Sequence, residues 1–303
     1  MVKLINAEFR KIFTTKLWWA LLIPALVLSL LWAWAASALT SGIADEVNRS
    51  TLFQQADISF EEVSWSVIAL ARGMNISSIF PMVFGALGMA SELSRRTITT
   101  TFLTAPSRVS VLGAKAVTYL VWGVVFGVVI SVGVSLGTLF GSDSNYLPNA
   151  ADWMLTLVAG VLMCVLWTLV GLGFGALVGS PVGALVSLLV YALIIGPVLE
   201  VFLANSGAAG LEALAGLMPN GSANGLTSST AAALLFDQIQ TLVLDQGGVP
   251  ASADVKENFD EVMRLAAGAP GAYSLWVSGL VFLGWTAIFF GTGMLRNKSR
   301  DIT

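Results

Sequence analysis

Charged and hydroxyl side chains are concentrated between residues 92 and 115, at the junction of two long apolar segments. Glu92 precedes Arg95 and Arg96 by three and four positions, which is the spacing at which opposite charges pair on a helix. Five threonines follow, and the helix is expected to end before Pro106 because proline disfavours a helical residue in front of it. A short helix with such a mixed face is typical of a surface that docks a soluble partner. The alternative is a solvated basic loop.

The chain lacks the side chains that most catalytic and metal sites require. It contains no His and a single Cys, which excludes His-based proton relays and the Ser-His-Asp triad and removes the commonest metal ligand. No GxxxxGK[ST] phosphate loop occurs, so the chain by itself is not expected to hydrolyse nucleotide. We therefore predict no catalytic residue, no metal site and no enzyme activity in this chain.

The composition is that of a membrane protein. Of 303 residues, 56% are hydrophobic and only 11% are charged, and the mean hydropathy is +0.83. A spanning helix needs roughly 20 apolar residues. The sequence contains six such runs, at 17–39, 68–91, 117–140, 153–178, 182–203 and 275–295. This predicts an all-α membrane protein with six transmembrane helices, in which Pro24, Pro81 and Pro197 kink their helices.

The distribution of basic residues predicts the orientation. Six spans put both termini on one side, and that side receives eleven of the 15 Lys and Arg residues. Because Lys and Arg are enriched in cytoplasmic segments, both termini and the 92–115 link are expected in the cytoplasm. We expect a multi-pass protein of the plasma membrane, of bacterial origin.

Residues 1–16 predict an amphipathic interfacial helix ahead of a transmembrane domain that comprises residues 17–303. Apolar side chains including Ile5, Phe9 and Ile12 fall on one arc of a helix, and basic ones lie elsewhere. Such a helix lies in the membrane interface, held by apolar burial and by anionic lipid; the alternative is a simple extension of the first span. The predicted membrane-surface anchors are Arg10, Lys11, Arg108 and Lys115.

The block 204–274 is predicted to form a small helical extracytoplasmic region between helices five and six. Its first part, 210–217, is too short to span and could re-enter the membrane, and helical patterns follow at 231–244 and 254–266. We interpret it as a helical cap, the alternative being a tether. Glu200 and Arg72 are expected at the outer interface, open to water. Glycine pairs at four-residue spacing favour packing within the chain over a dimer seam.

Several of these features together resemble the permease subunit of type-2 ABC exporters. The resemblance covers most of the chain, from a basic amphipathic start through six spans, and its motifs have a matching order. The residues that carry it are Ala7-Glu8-Phe9-Arg10-Lys11, Glu92, Thr97, Leu103-Thr-Ala-Pro106-Ser-Arg108, Lys115, Leu217-Met-Pro219, Leu295-Arg296 and Arg300-Asp301.

The resemblance implies a permease that pairs with a second permease subunit, identical or related, and with two copies of a cytoplasmic ABC ATPase subunit. ATP and Mg²⁺ would be held by that ATPase, with no cofactor in this chain and no nucleic-acid partner. Segment 92–106 would be a coupling helix that transmits ATP hydrolysis to the export of a hydrophobic or amphiphilic substrate. Its coupling residues would be Glu92, Arg95, Arg96, Thr97, Thr101, Leu103 and Pro106. The long 222–270 portion departs from a minimal member of the family and leaves room for an extracytoplasmic partner.

Two other classes remain open on the sequence. An ion-coupled secondary transporter predicts buried acids within spans. Apart from Glu92 and Glu200 at span ends the sequence shows none, which counts against this class. A membrane assembly or sensory protein without transport is the other alternative, and it predicts a chain that purifies without an ATPase.

Overall fold

The computed structural model describes residues 1–49, 63–98, 107–207, 210–245, 250 and 252–299. Within these ranges the regular structure is helical and no strand occurs. The helices are α1 (Val2–Thr14), α2 (Leu17–Arg49), α3 (Val67–Ser77), α4 (Ile79–Ser94), α5 (Arg108–Gly141), α6 (Ala150–Val178), α7 (Pro181–Val190), α8 (Gly196–Ala204), α9 (Leu211–Leu217), α10 (Pro219–Asp245), α11 (Ala253–Ala267) and α12 (Leu275–Ser299).

Six stretches are long and apolar enough to cross a membrane, which confirms the predicted all-α membrane class. Numbered as spans 1 to 6, they are Leu17–Glu46, Val67–Ser94, Arg108–Gly141, Ala150–Val178, Pro181–Ala204 and Leu275–Asn297. We call the side that carries α1 and the end of α12 the terminus side, and the other the distal side. Span 3 begins nine residues earlier than the apolar run at 117 suggests, because Ser107 caps the helix by accepting a hydrogen bond from the Ser110 amide.

Spans 2 and 4 form the centre of the bundle. In span 2, 72% of the most apolar 18-residue stretch is buried inside the protein, whereas the corresponding share is 17% in spans 5 and 6. Glycines allow close approach here, since a Cβ at Gly171 or Gly175 would meet the backbone carbonyls of Met82 and Ala86. The predicted intrachain role of the glycine pairs is confirmed at these positions. Gly179 differs, because it ends α6 in the left-handed conformation.

Two of the spans for which a proline kink is predicted are interrupted close to that proline. Span 2 is divided between α3 and α4 at Ser78, three residues before Pro81. Span 5 contains a π-helical turn, Tyr191–Ile195, directly ahead of α8 and Pro197. Proline fits in the first turn of a helix, where its missing N–H has no helical partner to lose. By contrast, α2 continues through Pro24.

The described residues of the block 204–274, which we call the distal block, fold against the spans and do not form a tether. Its helix α10 begins at Pro219, twelve residues before the predicted start at 231, and its first half is buried against α3, α6 and α12. The first half of α10 is rich in small polar residues such as Asn220 and Thr227, so its apolar residues do not recur at helical spacing. The sequence pattern therefore does not predict a helix there. The second half packs with α11 and α3 around Val67, Leu235 and Ala267.

Candidate functional site

The segment predicted as one helix over 92–106 is interrupted at its beginning. Helix α4 ends at Ser94, and Arg96 takes a left-handed backbone conformation with φ 57°. A new helical turn begins at Thr97 and Ile98, and the predicted coupling residues Thr101, Leu103 and Pro106 lie outside the described residues. Arg95, Arg96 and Thr97 are exposed, so they form an accessible link at the end of span 2.

The predicted pairing of Glu92 with Arg95 or Arg96 is wrong. Glu92 instead accepts a hydrogen bond from the Lys115 ammonium over 2.8 Å, and its carboxylate lies 3.7 Å from Lys11 Nζ. The helical spacing of three and four positions does not apply, because both arginines follow the end of α4. The acid at the end of span 2 is therefore directed into the protein.

The prediction that Lys115 anchors the membrane surface is also wrong, because its side chain is fully buried. Its ammonium donates to Glu8 Oε2 over 2.7 Å as well as to Glu92 Oε1, and its exposed fraction is 0%. The early start of α5 places Lys115 two turns inside the helix, where α1 and α4 pack on it. A buried ammonium requires opposite charges, and two carboxylates supply them here.

Lys11 completes a charge-balanced group. It donates to Glu8 Oε1 over 2.6 Å, while 40% of its own side chain is exposed. We call Glu8, Lys11, Glu92 and Lys115 the ion cluster. It contains two cations and two anions from α1, the end of span 2 and the start of span 3, so it joins three elements that are far apart in the sequence.

The Glu8 carboxyl has a lowered pKa within this cluster. Burial by itself would raise that pKa, but the attraction of Lys115 and the hydrogen bonds from Lys11 and Lys115 outweigh burial. The sequence carries one local signal of this role: Glu8 lies four residues before the buried Ile12 and hence on the same side of α1. The partner at position 115 has no such local signal.

Aromatic packing fixes α1 against the spans beside the ion cluster. The ring of Phe13 lies 5.6 Å from that of Trp122 in span 3 and 5.9 Å from that of Trp18 in span 1. Trp122 in turn contacts Phe84 of span 2. The amphipathic helix is therefore part of the folded domain. Of the predicted surface anchors, Arg10 is exposed and Arg108 half-buried, and their contact with lipid stays a prediction.

A cleft of about 420 Å³ opens between α1, α4 and α5 at the ion cluster. Its lining includes Glu8, Lys11 and Glu92 together with Arg95 and Thr97 of the link. The exposed link and the ion cluster therefore share one cleft. No group of three potential metal ligands among His, Cys, Asp and Glu occurs in the described ranges.

On the distal side, the expectation that Glu200 is open to water is wrong. Its exposed fraction is 1%, because α8 packs against the start of α10 and the Asn220 amide donates to Glu200 Oε2 over 3.4 Å. Arg72 is partly buried. Both residues line one cavity, which also contains Asn220 and Asn224.

The fold and this site define an all-α, multi-pass membrane protein in which an amphipathic helix is joined to two spans by buried charges. Neither the protein-family models nor the curated proteins contain a match to this chain.

Proposed function

We propose that this chain is the permease subunit of an ATP-driven exporter, similar to type-2 ABC exporters, and works with a separate cytoplasmic ATPase. The observation that carries the proposal is the position of the ion cluster directly behind the exposed link Arg95-Arg96-Thr97. A partner that holds this link gains a rigid connection to span 2, span 3 and α1 at once.

The chemistry of the link suits a protein partner. Two exposed arginines carry charge that is not neutralised by Glu92, since that acid pairs with lysines inside the protein. They are thus available for carboxylates of a soluble subunit, and Arg forms bidentate pairs with such groups. The positive-inside rule puts the link in the cytoplasm, where ATP is available.

The remaining parts of the proposal come from the resemblance to type-2 ABC exporters. The chain has no phosphate loop, and the resemblance assigns ATP and Mg²⁺ to an ATPase subunit that is present in two copies. Spans 5 and 6 leave most of their apolar surface uncovered in the single chain. That surface suits lipid together with a second permease subunit, identical or related, and a path between two such subunits would carry a hydrophobic or amphiphilic substrate.

The test is to co-express the chain with a candidate ABC ATPase subunit from the same genome and to reverse the charge of the link with Arg95→Glu and Arg96→Glu. We expect loss of co-purification and of substrate-stimulated ATP hydrolysis. The matched control is Arg49→Glu, an exposed arginine of the distal side that lies 3.9 Å from Asp45. Intact assembly and stimulated hydrolysis in the double variant would refute the coupling role of the link.

A second candidate, an ion-coupled secondary transporter, gains support from one observation. Glu200 is a buried acid within span 5, and its Oε1 has no hydrogen-bond partner among the described residues. Buried acids in spans often carry protons or ions. Uptake or efflux by vesicles that contain only this chain, driven by an ion gradient without ATP, would favour this candidate over the exporter.

A further inference from the structure

A cavity of about 280 Å³ lies in the distal part of the bundle, between spans 1, 2 and 5 and the start of α10. Glu200 lies four residues before the end of span 5, and Arg72 lies five residues after the start of span 2. At 1.5 Å per residue, both charges are within about 8 Å of the distal span ends. A hydrocarbon core of about 30 Å is shorter than spans 2 and 5, so charges this close to the span ends lie near the headgroup region of a bilayer.

The carboxylate of Glu200 is incompletely satisfied in this cavity. Asn220 donates to Oε2 and the backbone N–H of Gly221 also acts on the carboxylate, whereas Oε1 is buried with no partner at hydrogen-bond geometry among the described residues. A buried acceptor without a partner costs free energy, and a charged one costs more. A ligand that donates N–H groups to this oxygen would remove that cost, and a cationic donor would do so best.

Arg72 supplies the opposite charge to the same cavity. In the part of the chain that the structure describes, its guanidinium has no ion pair, and it contacts the backbone at Gly268. Asn224, one helical turn after Asn220, donates to the Gly268 carbonyl. Glu200 thus adjoins Asn220 in the first turn of α10, and Arg72 adjoins Gly268, whose carbonyl is bound by Asn224 one turn further along α10. A planar guanidinium favours phosphate or carboxylate oxygens.

Asn75 and Ser78 also line the cavity, and apolar side chains connect it with the lipid-facing surface. Trp32 of span 1 and Leu193 and Val201 of span 5 line it, and they are 43%, 51% and 45% exposed. A ligand can thus keep an apolar tail outside, between spans 1 and 5, while a polar group occupies the cavity. A membrane lipid has this form, whereas a small soluble zwitterion leaves the apolar entrance unused.

We propose that this cavity binds the headgroup of a zwitterionic membrane lipid, with its primary ammonium at Glu200 and its phosphate at Arg72. Phosphatidylethanolamine is the lipid chemistry that supplies both groups. The site holds this headgroup whether or not the chain is an exporter, so its test requires no ATPase and no transport.

Lipid selectivity of the unmodified chain is the first test. The full chain, purified in detergent, is titrated by native mass spectrometry with phosphatidylethanolamine, phosphatidylcholine and phosphatidylglycerol of identical acyl chains. We expect phosphatidylethanolamine to bind about tenfold more tightly than phosphatidylcholine, whose quaternary ammonium has no N–H to donate. Phosphatidylglycerol, which lacks the cation, should also bind more weakly. Equal affinity for the three lipids overturns the proposal, and it does so without any variant.

Variants test which group of the lipid binds at Glu200 and which binds at Arg72. Glu200→Gln keeps the shape of the side chain and should weaken phosphatidylethanolamine binding about tenfold, with little change for phosphatidylglycerol. Arg72→Gln should weaken the binding of both lipids. The controls are Glu212→Gln and Arg49→Gln, exposed residues of the distal side that should leave all affinities unchanged. Unchanged phosphatidylethanolamine affinity in Glu200→Gln contradicts the site.

A soluble headgroup distinguishes the lipid from a free zwitterion. Glycerophosphoethanolamine carries the same charges without acyl chains, and we expect it to bind far more weakly than the lipid. If it binds as tightly as phosphatidylethanolamine, the assignment to a membrane lipid is overturned.

Discussion

The ammonium of Lys115 donates a hydrogen bond to Glu8 Oε2 over 2.7 Å, although 107 positions separate the two residues. This contact joins the amphipathic helix α1 to the beginning of span 3, and Glu92 extends the contact to the end of span 2. An interfacial helix held only by lipid would not need such a bond. The ion cluster therefore makes α1 a structural part of the terminus side.

Replacement of Lys115 by Met should destabilise the protein strongly. The change removes the fully buried cation and leaves Glu8 and Glu92 with only the partly exposed Lys11 between them. Removal of one partner from a buried ion pair costs about 3–5 kcal/mol. Thermal unfolding of the full chain in detergent would measure the loss. The exposed Lys3→Met is the control, and equal unfolding temperatures for both variants would contradict the structural role of the cluster.

The stability of the protein should decrease in acid through Glu8. Its pKa in the folded state is lower than the ordinary value of 4.5, so the folded protein binds this proton less readily than the unfolded chain. The contribution of Glu8 is present above pH 4.5 and is lost as the pH falls through the lowered pKa.

The measurement compares thermal unfolding of the unmodified chain and of Glu8→Gln between pH 7 and pH 3. Other acids titrate in this range too, so the difference between the two proteins isolates Glu8. We expect that difference to shrink as the pH falls, and Glu257→Gln, an exposed acid, to show no such trend. A constant difference would show that the charge of Glu8 does not matter.

Local patterns predict the spans well and the ion cluster poorly. A run of twenty apolar residues is sufficient to identify a spanning helix, so all six were predictable. The residues around position 115 indicate only a basic residue between a polar link and an apolar run, and that pattern predicts a membrane-surface anchor. The burial of Lys115 depends on Glu8, which a pattern around residue 115 cannot reveal. Local patterns do not predict the polar first half of α10 for a related reason, since its burial depends on α3, α6 and α12.

The crossing of spans 2 and 4 should not tolerate a side chain at Gly171. A Cβ there would overlap the Met82 carbonyl, which belongs to a helix backbone and cannot move independently. We expect Gly171→Ala to lower the free energy of unfolding by about 1–3 kcal/mol. The control is Gly291→Ala in span 6, where a Cβ meets nothing within 4 Å. Equal thermal stability of the two variants in detergent would contradict this crossing.

Asn75 should hold the distal block on span 2. Its amide donates to the Ala267 carbonyl over 3.0 Å and to the Ser228 hydroxyl over 3.1 Å, and its oxygen accepts from Thr227. One side chain thus joins α3, α10 and the end of α11. Asn75→Leu conserves the volume approximately and removes these three hydrogen bonds, at a cost of about 0.5–1.5 kcal/mol for each. The cost stays moderate because Thr227 still donates to the Asn224 carbonyl and Ser228 to the Ala267 carbonyl.

The stability lost in Asn75→Leu should appear as local opening of the distal block as well as in global unfolding. Detachment of α11 exposes the peptide bonds after Lys256 and Arg264, so trypsin should cut Asn75→Leu there faster than it cuts the unmodified chain, because local opening controls cleavage. Asn205→Leu is the matched control, since the exposed Asn205 amide donates only within its own helix, to the Val201 carbonyl. Faster cleavage in Asn75→Leu alone means that the polar contacts of Asn75, and not apolar packing around Val67 and Leu235 by itself, keep the block closed. Equal cleavage of the two variants would mean that the apolar packing is sufficient.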